Sequence, residues 1–136
     1  MFYTRTIAAL LFIIICYGWM NPQVLDAQDW EAPTEADTLV NPLEHIEEVI
    51  EKGQQIYNNQ CTMCHGETGK GDGPAGIALD PSPEDLNSEE IQDQSDGAIF
   101  WKIREGRGPM PGFNKSLDEE KLWSIVHYIR ALSKEE

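Results

Sequence analysis

Hydrophobic positions along the chain fall into four groups with different periods. Residues 7–16 form a near-continuous apolar run, preceded by Arg5 as its only charge. From Leu43 onward, Ile46, Val49, Ile50, Ile56 and Tyr57 recur at the three-to-four-residue spacing of one helix face, with Gly53 in the middle of it. Glycine weakens a helix interior, so its place on that face predicts a close approach of another backbone. Asn41-Pro42-Leu43-Glu44 predicts the start of this helix, because Asn caps, Pro suits the first helical position and Glu can bond back to the cap. A second helix is predicted from Ser95 as cap through Ala98, Ile99, Phe100, Trp101 and Ile103 to Gly106 as terminator. The third begins at the capping box Ser116-Leu117-Asp118-Glu119 and carries the stripe Leu122, Ile125, Val126, Ile129 and Leu132, ending near Ser133.

Glycine- and proline-rich stretches separate these helices, at residues 66–87 and 106–112. Helices joined by loops this long enclose little apolar volume, which predicts an all-α domain of three to five helices that builds its interior partly from a bound cofactor.

The length of 136 residues leaves room for one ordinary domain and excludes a large multidomain enzyme. Ten Lys and Arg stand against 24 Asp and Glu, a formal charge of −14. Nucleic acid and anionic lipid surfaces are thereby disfavoured as partners, and a protein partner with a basic patch is favoured. The apolar run is shorter than the roughly 20 residues of a spanning helix. It weakens at Gly18 and stops at Asn21-Pro22, which favours a cleaved signal peptide ending at Ala27 over an anchor retained through residues 7–20, with Trp19 at the interface. Residues 28–51 then hold eight acids and no Lys or Arg, and residues 29–40 show no period. The expected organisation is therefore residues 1–27 as signal peptide or retained anchor, 28–41 as acidic linker and 42–136 as the folded domain, with order beginning at Asn41.

Candidate chemistry is concentrated at Cys61-Thr62-Met63-Cys64-His65, since C-x-x-C-H is the attachment sequence for c-type haem. On one helical turn the two sulfurs share a face and can add to the two vinyl groups of haem, while His65 is carried under the iron as axial ligand. Other uses of such a pair lack their companions. A zinc site needs four ligands, yet the remaining histidines, His45 and His127, are far apart in sequence. A thioredoxin-like pair follows a strand, and none is predicted before Cys61. Secretion agrees with haem attachment, because the mature chain then holds only two cysteines and needs no disulfide framework.

Of four methionines, Met1 and Met20 lie in the targeting segment and Met63 inside the attachment loop, which leaves Met110 as the candidate sixth ligand. Pro109 and Pro111 restrict the backbone around it, and Gly106, Gly108 and Gly112 are expected to let the chain approach the ring. His127 is the competitor, but its neighbours predict a solvent-facing position, and His45 also reads as surface. The run from Gly66 to Gly73 lacks Walker spacing and reads as loop structure around the haem. Trp101 and Tyr57 are expected to fill the core rather than bond propionates, and Arg104 and Arg107 to neutralise propionates or face solvent.

With these residues in place the chain resembles class I monohaem cytochrome c over residues 43–132, in particular the small bacterial cytochrome c domains of respiratory complexes. Gly71-Asp72-Gly73-Pro74-Ala75-Gly76, followed by residues 79–86, is similar to the loop that many bacterial members set against the haem edge. Phe100 to Gly106, running into Met110-Pro111-Gly112-Phe113, is similar to their Met-ligand loop. The resemblance implies the cytochrome c fold around one covalently bound haem. It also implies crossing first and last helices, with Gly53 and Tyr57 packed on Tyr128, and a proline carbonyl orienting His65, for which Pro74, Pro81 and Pro83 are all candidates. The acidic leader lies outside the family pattern.

The expected function is one-electron transfer in a respiratory chain outside the cytoplasm, with haem c attached at Cys61 and Cys64, His65 and Met110 on the iron, and redox proteins as partners. A membrane-anchored subunit of a respiratory complex is the alternative. A haem peroxidase or thiol oxidoreductase is disfavoured, so the chain is not expected to be an enzyme.

Overall fold

The computed structural model describes residues 30–133, so the signal or anchor segment lies outside the described residues. Five helices follow in order: α1 (Glu47–Gln60), α2 (Thr62–His65), α3 (Glu89–Gln92), α4 (Asp96–Glu105) and α5 (Glu119–Leu132). Two 3-10 turns, Thr34–Thr38 and Gly76–Ala78, lie before α1 and after α2. No strand occurs among the described residues, and no helix among them is long and apolar enough to cross a membrane.

The helix ends show what local chemistry decides. Ser95 caps α4, its Oγ accepting from the Ala98 amide at 3.0 Å, and Gly106 closes that helix with φ +68°, as expected. The cap of α5 is Asp118 rather than Ser116: its carboxylate accepts from the Lys121 amide at 2.9 Å, while the Ser116 hydroxyl turns back to the Phe113 carbonyl. Two residues of the predicted capping box thus stay in the preceding turn. The first helix likewise begins at Glu47, later than Asn41. Asn41 is taken by two other bonds, accepting from the Leu43 amide at 3.0 Å and donating to the Trp123 carbonyl at 3.3 Å. It closes a local turn and ties this segment to α5 instead of capping a helix. The short α3, capped by Ser88, has too few residues to show a period in the sequence.

Order also begins before Asn41. Residues 30–40 pack on α4, with Ala36 buried at 2% exposure and Asp37 accepting from the Ser95 hydroxyl at 2.5 Å. An alanine facing a glycine leaves no hydrophobic period, so the segment read as featureless linker.

Two apolar clusters share α5. The larger joins Ile99, Phe100 and Ile103 of α4 to Leu122, Trp123, Ile125, Val126 and Ile129, with the Phe100 and Trp123 rings stacked at 4.0 Å. The smaller is Tyr57, Tyr128 and Leu132, with Cys61 packed against it. Where α1 meets α5, a Cβ on Gly53 would lie 2.0 Å from the Ser124 carbonyl oxygen, so only glycine permits this approach. The Tyr57 and Tyr128 rings meet at 5.1 Å beside it, as the resemblance implied. Arg130 fixes the α3–α4 corner by donating to the Gln92 carbonyl at 2.6 Å, to the Gln94 carbonyl and to Asp96 at 2.8 Å.

Candidate functional site: a thiol pair and histidine on one turn

Cys61 ends α1, and its carbonyl accepts from the amides of both Cys64 at 3.1 Å and His65 at 2.9 Å. One turn therefore brings Cys61, Cys64 and His65 together, as their spacing predicted. Both thiols are free and half-buried. Burial, with the neighbouring Cys64, pushes the Cys61 thiol up to about 12. Burial also pushes the His65 imidazole below its ordinary value and keeps the ring neutral, with a lone pair for a metal.

His65 Nδ1 is buried and has no hydrogen-bond partner, so none of Pro74, Pro81 and Pro83 bonds it here. Such an unpaired polar atom costs about 1–3 kcal/mol. A turn that leaves an imidazole nitrogen in that state beside two unpaired thiols has the donor set of covalent haem attachment, and these residues fit the group.

The glycine loop holds the turn from its carbonyl end. The amides of Gly71, Gly73 and Ala75 donate to the carbonyls of His65 at 2.8 Å, Cys64 at 3.2 Å and Met63 at 2.9 Å. These are the carbonyls that a helix end leaves without partners. A Cβ on Gly73 would lie 2.5 Å from the Thr62 oxygen, and one on Gly76 would lie 2.1 Å from the Cys64 oxygen. The run from Gly66 to Gly76 therefore closes over the attachment turn, and the amides of Gly71, Gly73 and Ala75 are committed to it. Tyr57, buried at 1% exposure, donates to the Gly66 carbonyl at 2.8 Å and pins the residue that follows His65. A periodic pattern shows that tyrosine as a core position but does not reveal this bond.

Met110 lies on a separate loop and packs against the larger cluster. Its amide donates to the Arg107 carbonyl at 2.9 Å, and these two residues pair as an isolated bridge. Two of the loop glycines also make close approaches within the protein. A Cβ on Gly106 would lie 2.3 Å from the Gly112 nitrogen, and one on Gly112 would lie 2.3 Å from the Glu105 carbonyl oxygen. Their close approach is to the loop's own two ends, while Gly108 has nothing within 4 Å.

His127 is the other correction. It is buried at 6% exposure instead of facing solvent, with Nε2 3.1 Å from the Leu43 carbonyl and Nδ1 2.9 Å from Nδ1 of His45. Apolar neighbours misled here, because the polar partners come from the segment before α1, about 80 residues away in sequence. Arg104 lies 3.4 Å from Glu105, Arg107 meets the ring of Trp30, and Trp101 is half-buried. A groove of about 710 Å³ lined by residues such as Asn58, Thr62, Lys70 and Tyr128 includes none of Cys61, Cys64, His65 and Met110.

An all-helical fold that sets two unpaired thiols and a half-buried imidazole with a buried Nδ1 on one glycine-capped turn defines the class of c-type cytochromes. Comparison with known proteins narrows this. The family described as cytochrome c oxidase, cbb3-type, subunit III matches residues 48–129, more than half of the chain, and the chain belongs to it. Among its relatives, a cytochrome c6 of Bryopsis maxima is 30% identical over 86 residues, covering 59% of this chain and 88% of that protein. A cytochrome c550 of Pseudomonas aeruginosa is 24% identical over 132 residues, covering 94% and 89%. The cbb3-type oxidase subunit CcoP of an Azospirillum species is 27% identical over 84 residues, covering 61% of this chain, which spans only 28% of CcoP. A chain of the Kuenenia stuttgartiensis reducing HAO-like protein complex is similar in structure, with a TM-score of 0.61 and 30% identity over 71% of this chain and 48% of that one. As a c-type cytochrome the chain carries covalent haem c.

Proposed function

We propose that the chain is an extracytoplasmic carrier of one electron, in which Cys61 and Cys64 would hold haem c and His65 and Met110 would ligate its iron, and that it is not itself an enzyme. The observation that carries this reading is the single turn bearing two unpaired thiols and a neutral histidine with an unpartnered buried nitrogen. Bound there, haem c supplies an iron that cycles between ferrous and ferric states. The chain's own part is to hold the ligands and exclude water: the glycine loop fixes the turn that carries His65, and the interlocked ends of the 106–112 loop hold Met110 against the core. Both ring nitrogens of His127 already have partners, which supports Met110 over bis-histidine ligation.

Residues 1–27 are read as a signal peptide, and the partner as a redox protein with a basic docking patch, matching the formal charge of −14. A second reading, of a membrane-anchored respiratory subunit retaining residues 7–20, is favoured by the family description and by the CcoP relative. A mature N-terminus near Gln28 in the soluble extracytoplasmic fraction supports the shuttle, and an intact N-terminus in membranes supports the anchored subunit.

The site is tested by haem staining on a denaturing gel together with visible spectra. Wild type should give a stained band, and the oxidised protein should show the weak sulfur-to-iron band at the red end of the spectrum. Met110→Ala should keep the stain, lose the band and admit carbon monoxide, and Met110→His should lower the reduction potential while the iron stays low-spin. A colourless wild-type band would end the haem reading, and a Met110→Ala spectrum identical to wild type would end the assignment of the sixth ligand.

A further inference from the structure

Where the acidic leader joins α1, two histidines that the haem site does not use face each other. His127, buried on α5, sets Nδ1 2.9 Å from Nδ1 of the exposed His45, with the rings tilted at 54°, and Nε2 3.1 Å from the Leu43 carbonyl. A carbonyl oxygen only accepts, so Nε2 of His127 carries that ring's hydrogen and its Nδ1 is a bare lone pair. The hydrogen between the rings is therefore supplied by Nδ1 of His45. Of the four ring nitrogens, Nε2 of His45 alone has no hydrogen-bond partner among the described residues.

This arrangement has room for one added proton and not for two. The first goes to Nε2 of His45, on the exposed ring, and the imidazolium still donates through Nδ1. The second has only Nδ1 of His127 to take, and it would set two N–H groups head to head at 2.9 Å with no acceptor between them. Charged groups on the neighbouring elements leave this conflict in place. Asp96 of α4 and Arg130 of α5 line the cavity of about 410 Å³ beside the pair and are bonded to each other at 2.8 Å, so that wall carries no net charge. Glu44, and Glu47 and Glu48 in the first turn of α1, flank His45 and are exposed. Three side-chain bonds fasten residues 41–45 to α5, from Asn41 to the Trp123 carbonyl, from His127 to the Leu43 carbonyl and between the two histidines, and two of the three run through His127.

We propose that His45 and His127 form an acid-released latch between the leader and α5, closed while the pair holds at most one added proton and open when it holds two. The open pair takes up a proton that the closed pair excludes, so acid shifts the balance toward the open form. Histidine is the side chain that changes charge between about pH 5 and 8, and the latch thereby makes attachment of the leader depend on the acidity of the surroundings. The inference rests neither on the haem nor on Met110.

The experiment follows the reduced, haem-loaded protein by nitrogen-15 NMR of the histidine rings from about pH 8 to about pH 5, with hydrogen exchange of the Leu43 and Ile46 amides expressed as protection relative to the unfolded chain. At the upper end His45 should carry its hydrogen on Nδ1 and His127 on Nε2. On acidification His45 should gain its second hydrogen first, with protection unchanged. As His127 gains its own, protection of both amides should fall about tenfold, as for one lost hydrogen bond. Both variants alter only the exposed ring. His45→Ala, which leaves His127 without a partner, should show the lower protection at both ends of the range. His45→Asn should keep the higher protection at both ends, because its amide group reaches the place of Nδ1 and turns either to donate to a bare nitrogen or to accept from a protonated one. A hydrogen on Nδ1 of His127 at about pH 8, or full protection with both rings doubly protonated, would overturn the latch. Wild-type protection throughout in His45→Ala would overturn it too. If His45→Asn lost protection in acid as wild type does, release would belong to another group and the role of the pair would fall.

Discussion

Replacing Gly53 with alanine sets two well-measured effects against each other at one position. In an exposed helix interior the change gains about 1 kcal/mol, because glycine has more backbone freedom to lose. Here the added methyl would lie 2.0 Å from the Ser124 carbonyl oxygen, 2.7 Å from its carbon and 3.0 Å from Cβ of Tyr128. A carbon–oxygen contact relaxes at about 3.3 Å, so roughly 1.3 Å of overlap must be removed, and two of the three opposing atoms are backbone that no rotamer change can move. The α1 and α5 helices must separate, loosening Tyr57 against Tyr128. Overpacking of this kind costs about 1–3 kcal/mol, and rigid opposition puts it at the upper end. Net of the helical gain, Gly53→Ala should destabilise the protein by about 2 kcal/mol and lower its melting temperature by about 10 °C. Thermal and guanidinium unfolding of the haem-loaded protein by far-ultraviolet circular dichroism measures this. Gln54→Ala, at the exposed neighbouring position, is the control and should stay within about 0.5 kcal/mol of wild type. A Gly53→Ala protein as stable as wild type, or more so, would falsify the argument that this glycine exists for backbone approach.

Tyr57→Phe should cost about 1–2 kcal/mol in the same unfolding assay, since it leaves the Gly66 carbonyl without its 2.8 Å donor. Arg130→Met should cost about 2 kcal/mol or more, because the Gln92 and Gln94 carbonyls and the Asp96 carboxylate lose one shared donor, and Arg130→Lys should recover only part of it. Hydrogen bonds from Lys121 hold the Asp118 carboxyl below its ordinary 3.8, so its contribution is complete above that value and is lost as pH falls through and below it. Melting temperatures from pH 6 to pH 3 should therefore fall more steeply in wild type than in Asp118→Asn, which still caps but does not titrate; parallel curves would refute the assignment.

Much of this protein was legible in its sequence wherever the deciding interactions are short-range. The spacing of Cys61, Cys64 and His65 set three side chains on one turn because the helical repeat alone requires it. Ser95 and Gly106 marked the ends of α4 because a cap and a left-handed terminator are local chemistry. The stripe on α5 marked Leu122, Ile125, Val126, Ile129 and Leu132 as core, and all five are buried; that Trp123, Ser124, His127 and Tyr128 on its other sides are buried too, the period did not show. Tertiary structure decided the rest. Asn41 reads as a cap until the Trp123 carbonyl, 82 residues away, claims its side chain. His127 reads as surface until His45 and the Leu43 carbonyl supply polar partners inside the fold. Residues 30–40 read as linker because their contacts are an alanine carbonyl over Gly97, a carboxylate on Ser95 and one ring over Lys102 and Arg107. None of these leaves a hydrophobic period, since each depends on a group that only the folded chain brings within reach.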